Sequence, residues 1–568
     1  MLNRSKRWSP VVGRRDVIVG GLLMAMTAGV GMAGGPVIPQ PKAGEPLHGL
    51  TKSQLASFLE GRVSYMRNLE VEEGLGPVFN QTSCGVCHAN PVGGSGSQTV
   101  TRFGLLSKGG FDPLEQFGGS LLQAQAINDD CAEVIPDEAT TTTLRVTNGV
   151  LGYGLIESIA DEDIQFLADN QPAGLNGQTH MVEAFEDPKG SPLRVGRFGW
   201  KAQVATVLTF SADAALNEMG LTNRFLMTES DPNGINPPSL AKCDTVADPE
   251  DGPDKNGLDF IDRVTNFQRF LSGPPQTPRS GMTGEVIFAQ IGCADCHTPS
   301  FVTSDDPMLE DVLRNRVIQP YSDFLLHDMG LLGDSIEQGA ASGNQLRTPA
   351  LWGIRLRDPM IHDGRFSAGT FETRVTDAIE SHGPFGEGAA SAAAFASLSA
   401  GEKSSLIQFL DSLGRAEFDH DGDNDVDLTD FISFAACFGG TGYTPDDPCA
   451  ISDIDQDGDV DADDFASFML VYTGPRRDCN CNGVTDIVDI INGDADDANG
   501  DGVPDSCIAF CDGDLDCTSE VGAGDLAVLL AAWGTCPDSG PCPADINGDG
   551  VVDPADLAAL LSNWGPCK

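Results

Sequence analysis

The pattern of apolar and polar residues sets the N-terminal segment apart from the rest of the chain. A basic stretch that includes Arg14 and Arg15 precedes an apolar run from Val17 to Ala33, which small residues interrupt. This order is typical of a cleaved export signal, and a membrane anchor is the alternative. No other apolar run is long enough to cross a membrane. We therefore expect residues 1–33 to be a signal peptide.

A helix is predicted near residue 410 by the spacing of its apolar residues at i, i+3, i+4 and i+7. Ser399 and Glu402 form a capping box before this segment. Gly414 follows it and is a typical helix stop. The apolar face consists of Leu406, Phe409, Leu410 and Leu413.

Acidic residues are concentrated in the C-terminal part of the chain. The length of 568 residues predicts several domains. Residues 416–568 contain 34 of the 84 acidic residues but only three of the 34 basic ones. Such a surface repels nucleic acid and anionic membranes, so we expect neither as a partner. Dense acid is typical of disorder or of calcium binding.

The motif Cys-x-x-Cys-His occurs twice. Two thiols at this spacing add to the vinyl groups of haem, and the adjacent His becomes the proximal iron ligand. A zinc knuckle and a redox Cys-x-x-Cys pair are the alternatives, but neither requires the trailing His. We therefore predict two covalently bound haem c groups. The attachment residues are Cys84, Cys87 and His88 in the first copy, and Cys293, Cys296 and His297 in the second.

Both motifs have a Phe five residues before the first Cys, at Phe79 and Phe288. A short apolar helix that delivers the Cys pair to the haem is the simplest structure for such a segment. We therefore expect a helix immediately before each motif.

Six further segments resemble the dihaem oxidoreductase family, which is related to bacterial dihaem cytochrome c peroxidases. The resemblance spans about residues 50–415 and implies a mainly α fold with two cytochrome c-like haem domains. We expect these at 34–270, with insertions, and at 271–415. The segments are 196–202 (GRFGWKA), 217–222 (NEMGLT), 321–330 (YSDFLLHDMG), 347–353 (RTPALWG), 362–365 (HDGR) and 378–383 (AIESHG).

The resemblance also implies roles for the two haems. In the peroxidase relatives the C-terminal haem is six-coordinate and passes electrons, whereas the N-terminal haem reacts with hydrogen peroxide. The family pattern places the distal ligand of the C-terminal haem at His382, with His327 and Met329 as alternatives. His327 and His362 are alternatively predicted to bind haem propionates or backbone.

The first haem has no assigned sixth ligand, because no His closely follows His88. Its sixth position is open or is reached by a distant group such as His180. Glu157 lies in a segment that resembles the family's stretch beside this haem. It is a candidate acid–base residue there, with a helix-capping acid as the alternative. Trp200 is either an electron relay or a packed core residue.

Four loops in the acidic tail match calcium loops, which place oxygen ligands at positions 1, 3, 5, 9 and 12. We predict them as calcium sites. The ligand sets are Asp419, Asp421, Asp423, Asp427 and Asp430; Asp453, Asp455, Asp457, Asp461 and Asp464; Asp478, Asn480, Asn482, Asp486 and Asp489; and Asp545, Asn547, Asp549, Asp553 and Asp556.

Short apolar helices are predicted after several of these loops, at 526–533 and 557–561 for example. This loop–helix unit resembles the dockerin type I repeat, which implies a cohesin-like or cell-surface partner. A calcium-stabilised spacer is the alternative for residues 416–568. A fifth loop with Asp514, Asp516 and Asp525 is a degenerate match.

Export permits disulfides among the other twelve cysteines. Cys131 and Cys243 are the only extra cysteines before the tail, and we expect them to pair. Disulfides are also expected within the tail, where Cys437 and Cys449 flank one connector. Cys536 and Cys542 bracket another.

Taken together, these patterns predict an exported dihaem c-type cytochrome that acts as a peroxidase-like oxidoreductase. It would be periplasmic, on the cell surface or extracellular, with a small redox protein as electron donor. One alternative is a non-catalytic dihaem electron carrier. Another is a surface scaffold that acts through its calcium-binding tail.

Overall fold

The computed structural model describes most of the chain. The expected signal peptide lies outside the described residues. No described helix is long and apolar enough to cross a membrane. The described residues are 36–234, 242–474, 478–479, 484–500, 502–505, 513–516, 518, 520–536 and 542–567.

Helices and short antiparallel strands make up the described structure. Thr99–Ser107 is the centre of a four-stranded sheet, and the other strands form two-stranded pairs. The α-helices are α1 (Lys52–Met66), α2 (Cys84–Cys87), α3 (Tyr153–Glu157), α4 (Asp161–Asp169), α5 (Val207–Met219), α6 (Phe260–Phe270), α7 (Thr283–Gln290), α8 (Phe371–Glu380), α9 (Ala389–Ala396), α10 (Ala400–Ser412), α11 (Leu428–Cys437), α12 (Ala462–Val471), α13 (Asp486–Asn492), α14 (Ala523–Ala531) and α15 (Pro554–Ser562). The strands are β1 (Val78–Phe79), β2 (Thr99–Ser107), β3 (Gly110–Asp112), β4 (Leu121–Leu122), β5 (Gln125–Ala126), β6 (Thr141–Val146), β7 (Met181–Val182), β8 (Arg194–Val195), β9 (Phe301–Val302), β10 (Val317–Ile318), β11 (Leu326–Asp328), β12 (Gln345–Arg347), β13 (Glu520–Val521), β14 (Gly534–Thr535), β15 (Val551–Val552) and β16 (Gly565–Pro566).

The largest apolar core forms around α1 and α6. The rings of Phe58 and Phe267 are fully buried, with centroids 5.2 Å apart. Gly61 permits the close approach, because a Cβ there would meet the backbone of α6. The core also contains Phe301 and Leu313, so it crosses the predicted domain boundary at residue 270.

A second core surrounds the second haem motif. Its centre is the predicted α10, which begins at the Ser399–Glu402 capping box and buries Leu406, Phe409 and Leu410. The ring of Phe409 lies 5.5 Å from that of Phe288 on α7. Both the helix before the second motif and the helix across it are therefore confirmed.

The helix expected before the first motif is absent from the structure. Val78–Phe79 is instead β1, which pairs with β5, and Phe79 is buried. Gly76 and Pro77 precede it, and neither residue favours the interior of a helix. The Cys pair itself forms the single turn α2.

The acidic tail contains two separate apolar cores. Phe434 and Phe468 pack in the first, with ring centroids 5.0 Å apart. Leu529 and Leu560 are fully buried in the second. In this second core β13 pairs with β16 and β14 with β15, which joins two loop–helix units.

The tail also contacts the second haem domain. The backbone N–H of Thr283 donates to both carboxylate oxygens of Asp446, at 2.9 and 3.2 Å. The preceding residue, Met282, is the N-cap of α7 and makes no side-chain capping bond. The helix that presents the second haem motif is therefore capped by a residue of the tail.

Three disulfides join described cysteines, and the sequence predicted the pairing of one of them while leaving the pairing within the tail open. Cys131 is joined to Cys243 across 112 residues, which confirms that expected pair. In the tail, Cys437 is joined to Cys449 and Cys536 to Cys542. Each tail bridge closes a short connector between repeats.

We predict that Gly284→Ala destabilises the second haem domain by about 1–3 kcal/mol, because the added methyl group overpacks the contact between α7 and α10. A Cβ at Gly284 would collide with the Ser405 carbonyl and the Phe409 side chain. Thermal unfolding followed by circular dichroism measures the effect. Gly401→Ala is the matched control, since nothing lies within 4 Å of its Cβ. Equal behaviour of the two variants would contradict the packing argument.

Candidate functional site

Three predicted iron ligands share one hydrogen-bonding arrangement. Each imidazole donates its Nδ1–H to a backbone carbonyl, which leaves Nε2 as the nitrogen with the lone pair. Metal-binding histidines are usually oriented in this way. The pairs are His88 with Gly94 at 3.1 Å, His297 with Tyr321 at 3.0 Å and His382 with Ala378 at 2.8 Å.

The four cysteines of the motifs are free thiols in the structure. Burial raises the pKa of Cys84 to about 12, that of Cys87 to about 11 and that of Cys293 to about 12. Reactive cysteines of redox Cys-x-x-Cys motifs have a lowered pKa. The electrostatic surroundings therefore disfavour thiol–disulfide exchange as the function of these pairs.

A large cavity adjoins the second motif. Its volume is about 490 Å³, which is within the range of cofactor sites. Cys293, Cys296 and His297 line it, and so does His382. Burial and the neighbouring His382 lower the pKa of His297 to about 4. Burial also lowers the pKa of His382. Both imidazoles are therefore neutral at pH 7, as a metal ligand must be.

Two polar groups in this cavity lack an anionic partner among the described residues. The Nδ1 atom of His362 is buried and has no hydrogen-bond partner. Burial and the neighbouring Arg347 lower the pKa of Arg357 to about 10, and no carboxylate offsets this shift. Arg357 lines the cavity as well. A haem fits this site, because its propionates would supply the missing anions.

His327 is not available as an iron ligand. Its Nδ1 bonds to Glu387 and its Nε2 to Asp323, each at 2.8 Å. Burial opposes the charge, but the hydrogen bonds to Asp323, Cys296 and Glu387 outweigh it and raise the pKa of His327 to about 12. The imidazole is therefore a cation within the cavity wall. Its partners are carboxylates, and not the propionate or backbone groups that the sequence predicted. The alternative ligand Met329 also lines the cavity.

His180 is likewise fully engaged. Its Nδ1 donates to the Lys201 carbonyl at 2.8 Å, and its Nε2 accepts from the backbone N–H of Ala340 at 3.1 Å. Neither ring nitrogen is left for the iron of the first haem. Its predicted role as a distant sixth ligand is therefore wrong.

The structure places a different acid beside the first motif. Glu218, on α5, accepts a hydrogen bond from the Nδ2 atom of Asn80 at 2.7 Å. Its carboxylate contributes to the raised pKa of both Cys84 and Cys87. Burial raises the pKa of Glu218 itself, although Asn80 and Arg102 oppose that shift.

Sequence reasoning did not select Glu218. The signal was the segment 217–222, which the family resemblance included but to which it assigned no role. The proximity of Glu218 to Cys84 depends on a contact between α5 and β1, about 140 residues apart in sequence.

Glu157 is held by two partners, although burial raises its pKa as it does that of Glu218. It forms an ion pair with Arg269, and its Oε1 accepts from the backbone N–H of Val207 at 2.9 Å. Val207 is the first residue of α5, so Glu157 stabilises the start of that helix. These contacts fit the alternative prediction, a helix-capping acid, and the catalytic role stays a prediction.

Trp200 is a packed residue, which is one of the two roles that the sequence left open, and the electron relay stays a prediction. It is buried, and its Nε1–H donates to the Val146 carbonyl at 2.8 Å. It also lines the cavity, where its ring lies edge-on to His362 with centroids 6.1 Å apart. It is thus a packed residue with one face on the cofactor cavity.

The acidic loops of the tail share a hydrogen-bond pattern. The Asp at position 12 accepts backbone N–H groups from positions 2 and 9, which closes the loop. Two predicted ligands of the third loop, Asn480 and Asn482, lie outside the described residues. The fifth loop, which seemed degenerate in sequence, follows the same pattern. This pattern is present in the first, second and fourth predicted loops and in the fifth loop. The closing residues are Asp430 at 2.7 and 2.9 Å, Asp464 at 2.9 and 2.9 Å, Asp556 at 2.8 and 2.8 Å, and, in the fifth loop, Asp525 at 2.6 and 2.6 Å.

The chain is similar to solved structures at low sequence identity, including a MauG-like protein and a hydrazine synthase. A MauG-like protein associated with microbial copper homeostasis is 15% identical, with 68% of this chain and 95% of that chain covered and a TM-score of 0.31. Hydrazine synthase of Kuenenia stuttgartiensis is 14% identical, with 68% and 99% covered and a TM-score of 0.27. Neither superposition is close enough to support an argument. No curated protein matches the chain.

The family comparison is more informative. A protein-family model described as "Di-haem oxidoreductase, putative peroxidase" matches residues 123–413. The match includes the second Cys-x-x-Cys-His motif, Glu218 and His382. The chain belongs to the di-haem oxidoreductase family, and it is an oxidoreductase.

Proposed function

We propose that the chain is an exported c-type cytochrome that uses two covalently bound haems as a peroxidase. Electrons would enter at the C-terminal haem, and peroxide would react at the N-terminal haem. The observation that carries the proposal is an asymmetry between the two motifs. A second neutral imidazole, His382, accompanies the C-terminal motif, whereas a carboxyl group, Glu218, accompanies the N-terminal motif.

Two histidine ligands suit electron transfer at the second haem. His297 and His382 line the same cavity, and both have Nδ1 fixed by a backbone carbonyl. An iron with two strong axial ligands has no open position for peroxide, so it passes electrons. The positively charged Arg357 in the cavity wall, whose pKa no carboxylate raises, would stabilise the reduced, more negative state.

Proton transfer suits the first haem. When bound, haem supplies the redox chemistry of peroxide reduction. The carboxyl of Glu218 would take a proton from one peroxide oxygen and return it to the oxygen that leaves as water. Burial raises the pKa of Glu218, which is the direction that favours proton transfer by a carboxyl group. Asn80 holds the carboxyl in place through its hydrogen bond.

A non-catalytic electron carrier is the rival within redox function. It would have two six-coordinate haems, and Glu218 would serve only to anchor Asn80. In either case we propose a small redox protein as the electron donor.

The tail supports a second function. We propose that its loops bind calcium and that the last two units present a surface for a cohesin-like or cell-surface partner. Trp533 and Trp564 occupy equivalent places after α14 and α15, and each is about half exposed. Leu530 and Leu561 on the same helices are exposed too. Paired apolar groups in an otherwise acidic region are typical of a binding surface.

We predict that Glu218→Gln lowers the peroxidase rate by about 10²–10⁴-fold, because Gln cannot exchange a proton. Mass spectrometry should still find two haems. The control is Glu157→Gln, which removes the ion pair with Arg269. It should lower stability but keep the rate per folded molecule. A Glu218→Gln enzyme with full activity would refute the assignment.

We predict that His382→Ala converts the second ferric haem from low spin to high spin, because one axial ligand is lost. Electron paramagnetic resonance distinguishes the two states. His362→Ala is the control, since the proposed role of His362 is to bind a propionate. It should leave the haem low-spin. A purely low-spin wild type that does not react with peroxide or cyanide would favour the electron-carrier rival instead.

We predict that a calcium chelator unfolds the tail, because its closely spaced carboxylates then repel each other. The helical circular dichroism of α11 to α15 should decrease, and calcium should restore it. The haem absorption spectrum serves as the internal control and should remain that of a bound c-type haem. Circular dichroism unchanged by the chelator would argue against calcium binding.

A further inference from the structure

Four carboxylates meet in the segment between α5 and α6, outside the haem cavity and the acidic tail. They belong to Glu229, Asp244, Asp248 and Glu250. One oxygen from each of Glu229, Asp244 and Asp248 lies within 4.8 Å of the other two. Cys243, next to Asp244, is bound to Cys131, which anchors this part of the segment.

Glu229 distinguishes this group from an ordinary acidic surface. Its side chain is buried, with the residue 8% exposed. Both carboxyl oxygens are buried, and neither accepts a hydrogen bond from a donor among the described residues, where the polar neighbour of Glu229 is the Glu250 carboxyl. A buried carboxylate without donors is strongly unfavourable unless a cation compensates it. One Glu229 oxygen lies close to oxygens of Asp244 and Asp248, so a compensating cation would lie among these three carboxylates.

The hydrogen-bond donors and positive charges near these four carboxylates are too few to compensate them. The single hydroxyl of Thr222 contacts both Asp248, at 2.8 Å, and Glu250. Arg224, the nearest arginine in sequence, is paired with Asp259 and Asp262 on α6.

We propose that Glu229, Asp244 and Asp248 bind a divalent cation, with calcium the best match. Calcium takes several carboxylate and hydroxyl oxygens in irregular geometry, and this group offers only such ligands. Glu250 and Thr222 stand beside the three carboxylates and complete the oxygen-rich surroundings. The site is separate from the tail loops and from the peroxide chemistry proposed above.

The location indicates a structural function for the ion. Glu250 packs directly on Gly74, in the segment that leads to the first haem motif. Thr222 lies three residues after α5, the helix that carries Glu218. An ion bound by Glu229, Asp244 and Asp248 would hold Thr222 in place through its hydrogen bond to Asp248, and Thr222 in turn contacts Glu250. The ion would therefore fix the approach of this segment to α5, and with it the surroundings of the first haem.

The test compares Glu229→Gln with Glu133→Gln in the full-length protein. Glu133 is an equally buried glutamate with one unpartnered oxygen, but it lies outside the carboxylate group. Two quantities are measured with calcium alone as the probe. One is the number of calcium ions retained per chain, by elemental mass spectrometry. The other is the midpoint of thermal unfolding followed by haem absorption, in calcium and in chelator.

The site predicts that Glu229→Gln retains one calcium ion fewer than the wild type. In chelator it should be at least as stable as the wild type, because it lacks one buried charge. In calcium it should be less stable. Glu133→Gln should keep the full count and the full response to calcium. An unchanged count in Glu229→Gln, or an equal loss in Glu133→Gln, would overturn the proposal. Should Glu229→Gln fail to fold, Asp244→Asn takes its place with the same expected loss of one ion.

Discussion

The orientation of three imidazoles by backbone carbonyls is the constraint on which both haem sites depend. A carbonyl oxygen accepts only, so the hydrogen bond requires the proton to be on Nδ1 and leaves Nε2 available. Burial then keeps His88 and His297 neutral. The loops that supply Gly94 and Tyr321 are thus as important to the sites as the motifs. A change in either loop would turn a correctly placed histidine away from its metal.

Local signals in the sequence were sufficient for several features. The capping box of Ser399 and the apolar spacing that follows it specify α10 without any distant contact. The Cys-x-x-Cys-His motifs are local in the same sense. The pair of Cys131 and Cys243 was predictable by elimination, since the other cysteines before the tail belong to those motifs.

Functions that depend on distant partners were not predictable. His327 was a reasonable ligand candidate until Glu387, 60 residues away, occupied one of its nitrogens. Glu157 meets Arg269 across 112 residues, and Glu218 meets Asn80 across 138. Sequence proximity to a haem motif was therefore a poor guide to which acid lies beside it. Tertiary contacts decide whether a carboxylate serves as a counter-ion or as a proton-transfer group.

The hydrogen bonds between Asp446 and Thr283 show that the second haem domain depends on a residue of the acidic tail for its folding. The charge pattern divides the chain near residue 416, yet the first turn of α7 is completed by a side chain beyond that point. A fragment that ends at residue 415 would contain every predicted haem ligand and still lack a cap typically worth about 1 kcal/mol. The chemical boundary and the folding boundary therefore do not coincide. The acidic repeats form part of the scaffold of the second haem domain.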